Sequence, residues 1–174
     1  MARSVFFSFH WADVWRANRI RNSWVTHEGR ANSFYDRSIW EEARTKGDAA
    51  IKRLIDSGMV GCSVTAVLIG KQTASRKYVR YEIEQSIKRG MGLLGVFMHE
   101  MKDQNKRTDW LRGNNPFDYF NEDGSPRQPS LTVIELFLDK EPLSEAVDTY
   151  DWVSDNGYED FPEWVEDAAT MAGR

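Results

Sequence analysis

Short apolar runs alternate with amphipathic stretches along most of the 174-residue chain. Ser4–Phe9 (SVFFSF) is β-branched and aromatic. His10–Trp24 then carries Val14, Ala17 and Trp24 on one helical face. A brief aromatic segment, Phe34–Tyr35, leads through a polar loop starting at Asp36 into Asp48–Met59, where Ile51, Leu54, Ile55 and Met59 fall at helical spacing. Ser63–Ile69 (SVTAVLI) is almost wholly apolar and β-branched, as a central parallel strand buried on both faces requires. Arg76–Arg89 places Val79, Ile83 and Ile87 on one stripe and stops at Gly90 and Gly92, and Leu93–Met98 (LLGVFM) reads as a fourth strand.

Beyond it the pattern loosens. Glu100–Pro129 is polar and turn-rich but holds Trp110, Phe117, Tyr119 and Phe120, so it predicts an ordered insertion anchored by aromatics. Leu131–Leu138 is expected as a fifth strand, Leu143–Val153 as a helix and Phe161–Met171 as a terminal one. Strands alternating with helices of this length predict an α/β fold: one domain over residues 1–174, with a three-layer, open, mainly parallel five-stranded sheet of flavodoxin-like order. Ligands in such sheets bind outside the carboxyl ends of the strands, at a switch in strand order. The segments to search are Ser8–Trp11, Asp36–Trp40, Gly70–Tyr78 and Met98–Met101.

Composition narrows the function. A net charge of -4 argues against nucleic acid as a partner, because that affinity rests on Lys and Arg neutralising phosphates. Bases nevertheless gather in Arg16–Arg53 and Lys71–Arg89. They form either solvated faces or a seat for an anion such as a dinucleotide pyrophosphate, for which Lys71, Thr73, Ser75 and the helix start beyond them are candidates. No stretch approaches the length of a membrane span and no secretory leader is evident, so a soluble cytoplasmic protein is expected. One cysteine, Cys62, reads as core filler, and three dispersed histidines give no metal pattern. The GxGxxG, P-loop and GxSxG motifs are absent.

Within Arg76–Arg89 two glutamates differ in their helical neighbours. Glu84 has Arg80 and Lys88 four residues away on either side, which explains it as surface pairing. Glu82 has Tyr78 and Ser86 there and adjoins the apolar stripe. Periodicity alone favours exposure; the helix's position beside the expected ligand crevice favours a carboxylate kept for a ligand. Phe6, Ser8 and His10 lie at the first strand end, where Phe6 also reads as ordinary core. Asp36 and Trp40 offer a carboxylate and an aromatic surface, with a helix-initiating acidic turn as the competing reading.

These motifs together resemble the TIR-like domain of the Thoeris antiphage system, a bacterial branch related to Toll/interleukin-1 receptor domains. The matching stretches are Val5–Phe9, Asp13–Trp24, Gly47–Asp56, Ser63–Gly70, Thr73–Ile83, Gly92–His99 and Tyr150–Ala169, so the likeness spans roughly Val5 to Ala168. In enzymatic TIR domains an aromatic precedes the catalytic glutamate by four positions, which here are Tyr78 and Glu82; tyrosine replaces the more usual tryptophan. The loop after the second strand is also altered, to DRSIWEEARTKG at Asp36–Gly47. The resemblance implies cleavage of NAD between nicotinamide and ribose by Glu82, with Phe6, Ser8, His10, Asp36, Gly70 and Tyr78 around the substrate and NAD as substrate rather than cofactor. It further implies a cyclic ADP-ribose-type signal that diffuses to an effector protein, a phage-derived trigger and a homo-oligomeric active state. A non-catalytic TIR-like adaptor is the alternative, because a fold does not determine a function. A response regulator ranks last, since Ser8–Asp13 has only Asp13 where an acidic cluster is needed.

Overall fold

The computed structural model describes residues 3–27, 30–32, 37–127 and 140–174. Among them the strands are β1 (Ser4–Phe9), β2 (Arg30–Asn32), β3 (Val64–Ile69), β4 (Gly92–Phe97) and β5 (Thr149–Asp151). They pair in the order β2-β1-β3-β4-β5, every pairing parallel. The helices are α1 (Val14–Thr26), α2 (Arg37–Lys46), α3 (Asp48–Met59), α4 (Lys77–Lys88), α5 (Leu143–Ala146) and α6 (Gly157–Met171).

The two-residue period of the strands sorts side chains between the two faces. Val5 and Phe7 of β1, Val64, Ala66 and Leu68 of β3, and Leu94 and Val96 of β4 pack with α1 and α6. Val67, Ile69 and Phe97 project the other way, into a cluster with Val79 and Ile83 of α4, while Phe6 meets Ile51 and Ile55 of α3. All six positions of β3 are buried, as its apolar run requires of a strand covered on both sides. Thr65 is tolerated there because its hydroxyl hydrogen-bonds the Ser86 hydroxyl at 2.7 Å.

Phe161 organises the α1/α6 side. Fully buried, it stacks against Phe7 at 6.0 Å and meets Trp24 and Trp152 edge-on at 5.7 and 5.9 Å. The next residue, Pro162, lies inside α6 and cannot donate to the carbonyl four residues earlier. That carbonyl, of Tyr158, accepts from the Ser23 hydroxyl of α1 at 3.4 Å. Cys62 is a buried free thiol.

Three expectations need revision. The polar loop of Asp36–Gly47 is instead largely helical, because Ala43 turns inward and Trp40 packs at the edge of the α3 cluster, giving α2 an apolar side. The helix expected over Leu143–Val153 shrinks to the four residues of α5, and the chain then becomes β5, whose Tyr150 stacks on Trp164 at 4.1 Å. The sheet therefore takes its fifth described strand from Thr149–Asp151; the stretch Leu131–Leu138 lies outside the described residues, as does Phe34–Tyr35. The terminal helix begins a turn earlier than expected, at Gly157.

The aromatics of the described part of the insertion divide between buried and exposed. Phe117 and Phe120 are buried and Tyr119 lies under the Arg80 guanidinium, whereas Trp110 is 88% exposed. Its first part is tied down by Arg16 of α1, a buried cation that donates to the Met101 carbonyl at 2.8 Å and to Asp13 and Asp109 at 3.0 and 2.6 Å. No helix among the described residues is long and apolar enough to cross a membrane.

Gly92 opens β4 with α6 crossing directly over it: a β-carbon there would stand 2.3 Å from the Ala168 carbonyl oxygen. Backbone cannot yield as a side-chain tip can, so Gly92→Ala is expected to cost about 2 kcal/mol and lower Tm by about 5 °C. Thermal unfolding followed by circular dichroism checks this.

Candidate active site

The chain leaves β1 for β2 on one side and returns to β3 on the other, so the switch in strand order falls between β1 and β3. A cavity of about 520 Å³ opens there. Its walls come from the end of β1 (Phe6, Phe9, His10, Trp11), from α2 and the start of α3 (Trp40, Arg44, Asp48), and from the start of α4 (Arg76, Lys77, Tyr78, Glu82).

Glu82 enters this wall through helical geometry. It sits three positions after Val79 and one before Ile83, both buried against the sheet, so its side chain is drawn inward with them. Only 7% of Glu82 is exposed, and no cation among the described residues pairs with it. Its partner is the wholly buried Ser8 hydroxyl, which donates to Oε2 at 2.5 Å. Ser8 reaches it because β1 alternates: with Val5 and Phe7 committed to the α1/α6 side, Phe6 and Ser8 must face α4.

Burial pushes the Glu82 carboxyl up to about 8, with the Ser8 hydrogen bond pulling the other way. Burial therefore favours the protonated, neutral form of this carboxyl at neutral pH. Glu84 behaves as an ordinary surface residue, paired with Lys88 at 2.5 Å; its other expected partner, Arg80, turns to the Ala74 carbonyl and the Tyr119 ring.

Tyr78 is fixed at the rim. Its hydroxyl donates to Asp48 Oδ1 at 2.9 Å, and its ring meets Trp40 edge-on at 5.7 Å. Asp48 also accepts from Lys77 at 2.5 Å and pairs with Lys52 at 3.2 Å; these contacts, that of Lys77 foremost, hold its carboxyl down to about 2. The start of α3 is thereby tethered to the start of α4. His10 is shifted downward, chiefly by burial and then by nearby Arg76, both of which disfavour its charged form.

The structure brings Phe6, Ser8, His10, Tyr78 and Glu82 to one place, with Ser8 reaching it through Glu82. Gly70 stands apart from the cavity lining: it makes room for Asp13, whose Oδ2 would lie 2.2 Å from a β-carbon at that position. Asp36 lies outside the described residues. Thr73 is buried in its own loop, accepting from the Gly70 amide and donating to the Leu68 carbonyl, which removes it from the phosphate candidates. Lys71 and Ser75 also fall outside the cavity lining. Arg44, Asp48, Arg76 and Lys77 were not picked out in sequence as contributors. A helix start bordering the crevice was the signal that could have raised Arg76 and Lys77.

Residues 6–103 match the family described as "Thoeris protein ThsB, TIR-like domain". The chain is also 38% identical, over 192 aligned positions covering 95% of it and 100% of the relative, to a protein of Bacillus cereus (strain MSX-D12) named "Putative cyclic ADP-D-ribose synthase ThsB1". The chain belongs to the Thoeris ThsB TIR-like family.

In this TIR-like domain the burial of Glu82 has a thermodynamic consequence. The folded carboxyl keeps its proton up to about 8, whereas the unfolded one releases it near the ordinary value of 4.5. Between those values the folded state binds more protons, so this residue's contribution to stability falls as pH rises through that window. Glu82→Gln, neutral at every pH, is expected to match the wild type in Tm near pH 4 and to exceed it by several degrees at pH 8, measured by differential scanning calorimetry.

Proposed function

We propose that this TIR-like domain cleaves NAD at the bond between nicotinamide and ribose, with Glu82 as the catalytic carboxylate, and passes the ribosyl group to an acceptor within the same molecule. The observation that carries the reading is a buried carboxyl with no basic partner among the described residues, held by Ser8 in the wall of a cavity at the strand-order switch. The name of the Bacillus relative, a cyclic ADP-D-ribose synthase, supports the cyclic product.

Glu82 suits the chemistry for an electrostatic reason. The nicotinamide ring of NAD is a pyridinium cation, and its approach lowers the pKa of a neutral buried carboxyl, so that substrate binding generates the anion. The bond from ribose C1′ to the ring nitrogen then breaks with its electron pair going to nitrogen, leaving neutral nicotinamide and an oxocarbenium-like ribose. The positive charge has moved onto the sugar. A carboxylate fixed against the ribose and accepting from its hydroxyls stabilises that charge more in the transition state than in the substrate. Attack at C1′ by a nucleophilic atom of the folded-back adenosine half closes the ring; attack by water, with loss of its proton, gives ADP-ribose. The aromatic walls, Phe9, Trp11, Trp40 and Tyr78, favour ring closure to the extent that they exclude water. In the antiphage setting of the family, the product is the diffusible signal to an effector protein, and a phage-derived cue with homo-oligomerisation switches the domain on.

The test is nicotinamide release from NAD by wild type and Glu82→Gln, with and without phage-infected lysate. Release by the wild type and essentially none by the variant is expected. Equal release would remove Glu82 from the mechanism, and none from demonstrably assembled wild type would favour the adaptor reading. Because the free site must lose a proton before it acts, kcat/KM is expected to rise with pH and level off near the value of about 8 assigned to Glu82.

A further inference from the structure

The same cavity has a cationic side that the cleavage step leaves unused. Arg76, the N-cap of α4, lines it six residues before Glu82, an offset of about 9 Å along the helix axis. Among the described residues the Arg76 guanidinium reaches only the Gln72 side-chain oxygen, through Nη2, and its Nε is buried without a partner. His10 Nδ1, on the facing strand end, is likewise buried and unpartnered. Arg44 lines the same cavity, and no carboxylate among the described residues pairs with it or with Arg76. Lys77 adds a further charge that Asp48 offsets.

Buried polar nitrogens without partners are uncommon, and each costs stability unless something fills its place. Here the two belong to residues lining one open cavity, one of them within the Arg76 guanidinium itself, and the Arg44 guanidinium lies in the same lining with no carboxylate partner among the described residues, in a chain whose net charge is -4. Guanidinium groups suit phosphate oxygens because their planar forks donate two parallel hydrogen bonds. The first amides of α4, which lack helical acceptors, lie beside them. The offset along α4 is about the span of a ribose and its 5′-phosphate. A sugar ring set against Glu82 therefore carries its phosphate toward Arg76.

Resting on the cleavage reading for the orientation of the sugar, we infer that Arg76, assisted by Arg44 and His10, is the phosphate-binding residue of this cavity and selects a dinucleotide pyrophosphate over unphosphorylated nucleosides. Arg76 is a specificity-determining residue and takes no part in bond cleavage.

The test measures binding of inorganic pyrophosphate, ADP-ribose and adenosine by calorimetry to wild type, Arg76→Gln and Arg76→Lys, with Tm recorded for each. Arg76→Gln is expected to weaken pyrophosphate and ADP-ribose by about tenfold or more, the loss of one charge-assisted pair, while adenosine binding and Tm hold. Arg76→Lys is expected to recover part of the loss. With NAD, KM rises by a similar factor and kcat stays within about twofold, whereas turnover of nicotinamide riboside is unchanged. Equal pyrophosphate affinity in wild type and Arg76→Gln, or none in the wild type up to millimolar concentration, overturns the assignment. Pyrophosphate binding requires no bond cleavage, so Arg76-dependent binding in a protein that releases no nicotinamide would uphold this site and reject the cleavage reading.

Discussion

The parallel pairing of β1 with β3 governs what the rest of this domain can do. Five residues of β1 pair in register with β3, from Val5 opposite Val64 to Phe9 opposite Leu68. Parallel neighbours cannot be joined by a tight turn, so the chain must leave and return by crossovers whose helices cover both faces. Because the path from β1 runs first to β2 and only later to β3, the two crossovers part above this pair. The opening is the cavity, whose walls are the end of β1, the α2–α3 corner and the start of α4.

Within the cavity, burial and charge have been separated. Glu82 lies deep beside the sheet, its charged form disfavoured by burial and its carboxyl hydrogen-bonded, among the described residues, by the Ser8 hydroxyl. The arginines and Lys77 lie toward the start of α4 and the α2–α3 corner, with Asp48 balancing part of their charge at the rim. Had a guanidinium met Glu82 directly, the carboxylate would be permanently ionised and neutralised, and less able to respond to a cation forming in the substrate. Distance preserves both groups for the proposed reaction, in which one would answer positive charge developing on a sugar and the other would hold a standing negative charge.

Local pattern made much of the fold legible. The buried run of β3, the stripe of α4 and the aromatic opening of β1 each follow from side-chain period over a few residues, because burial of one face is itself periodic. Where local signals were weak the reading failed. α2 is charged along most of its length, and only Trp40 and Ala43 betray its inner side. β5 is three residues long and owes its place to β4 and to the stacking of Tyr150 on Trp164, neither visible in the segment itself.

The candidate site divides along the same line. Sequence alone determined that Glu82 lacks a helical charge partner, that its helix follows the central strand, and that the motifs around it are those of the TIR-like family. Only the tertiary structure decided that Glu82 is buried rather than exposed, that its partner is Ser8, 74 positions away, that Gly70 makes room for Asp13 and that Thr73 ties the backbone of its own loop. It also brought Arg76 and His10 into one cavity, with Arg76 Nε and His10 Nδ1 buried and unpartnered among the described residues. The reason is physical: period and capping act within a few residues of one chain segment, whereas desolvation and hydrogen-bond partnership depend on which distant segments the strand order sets side by side.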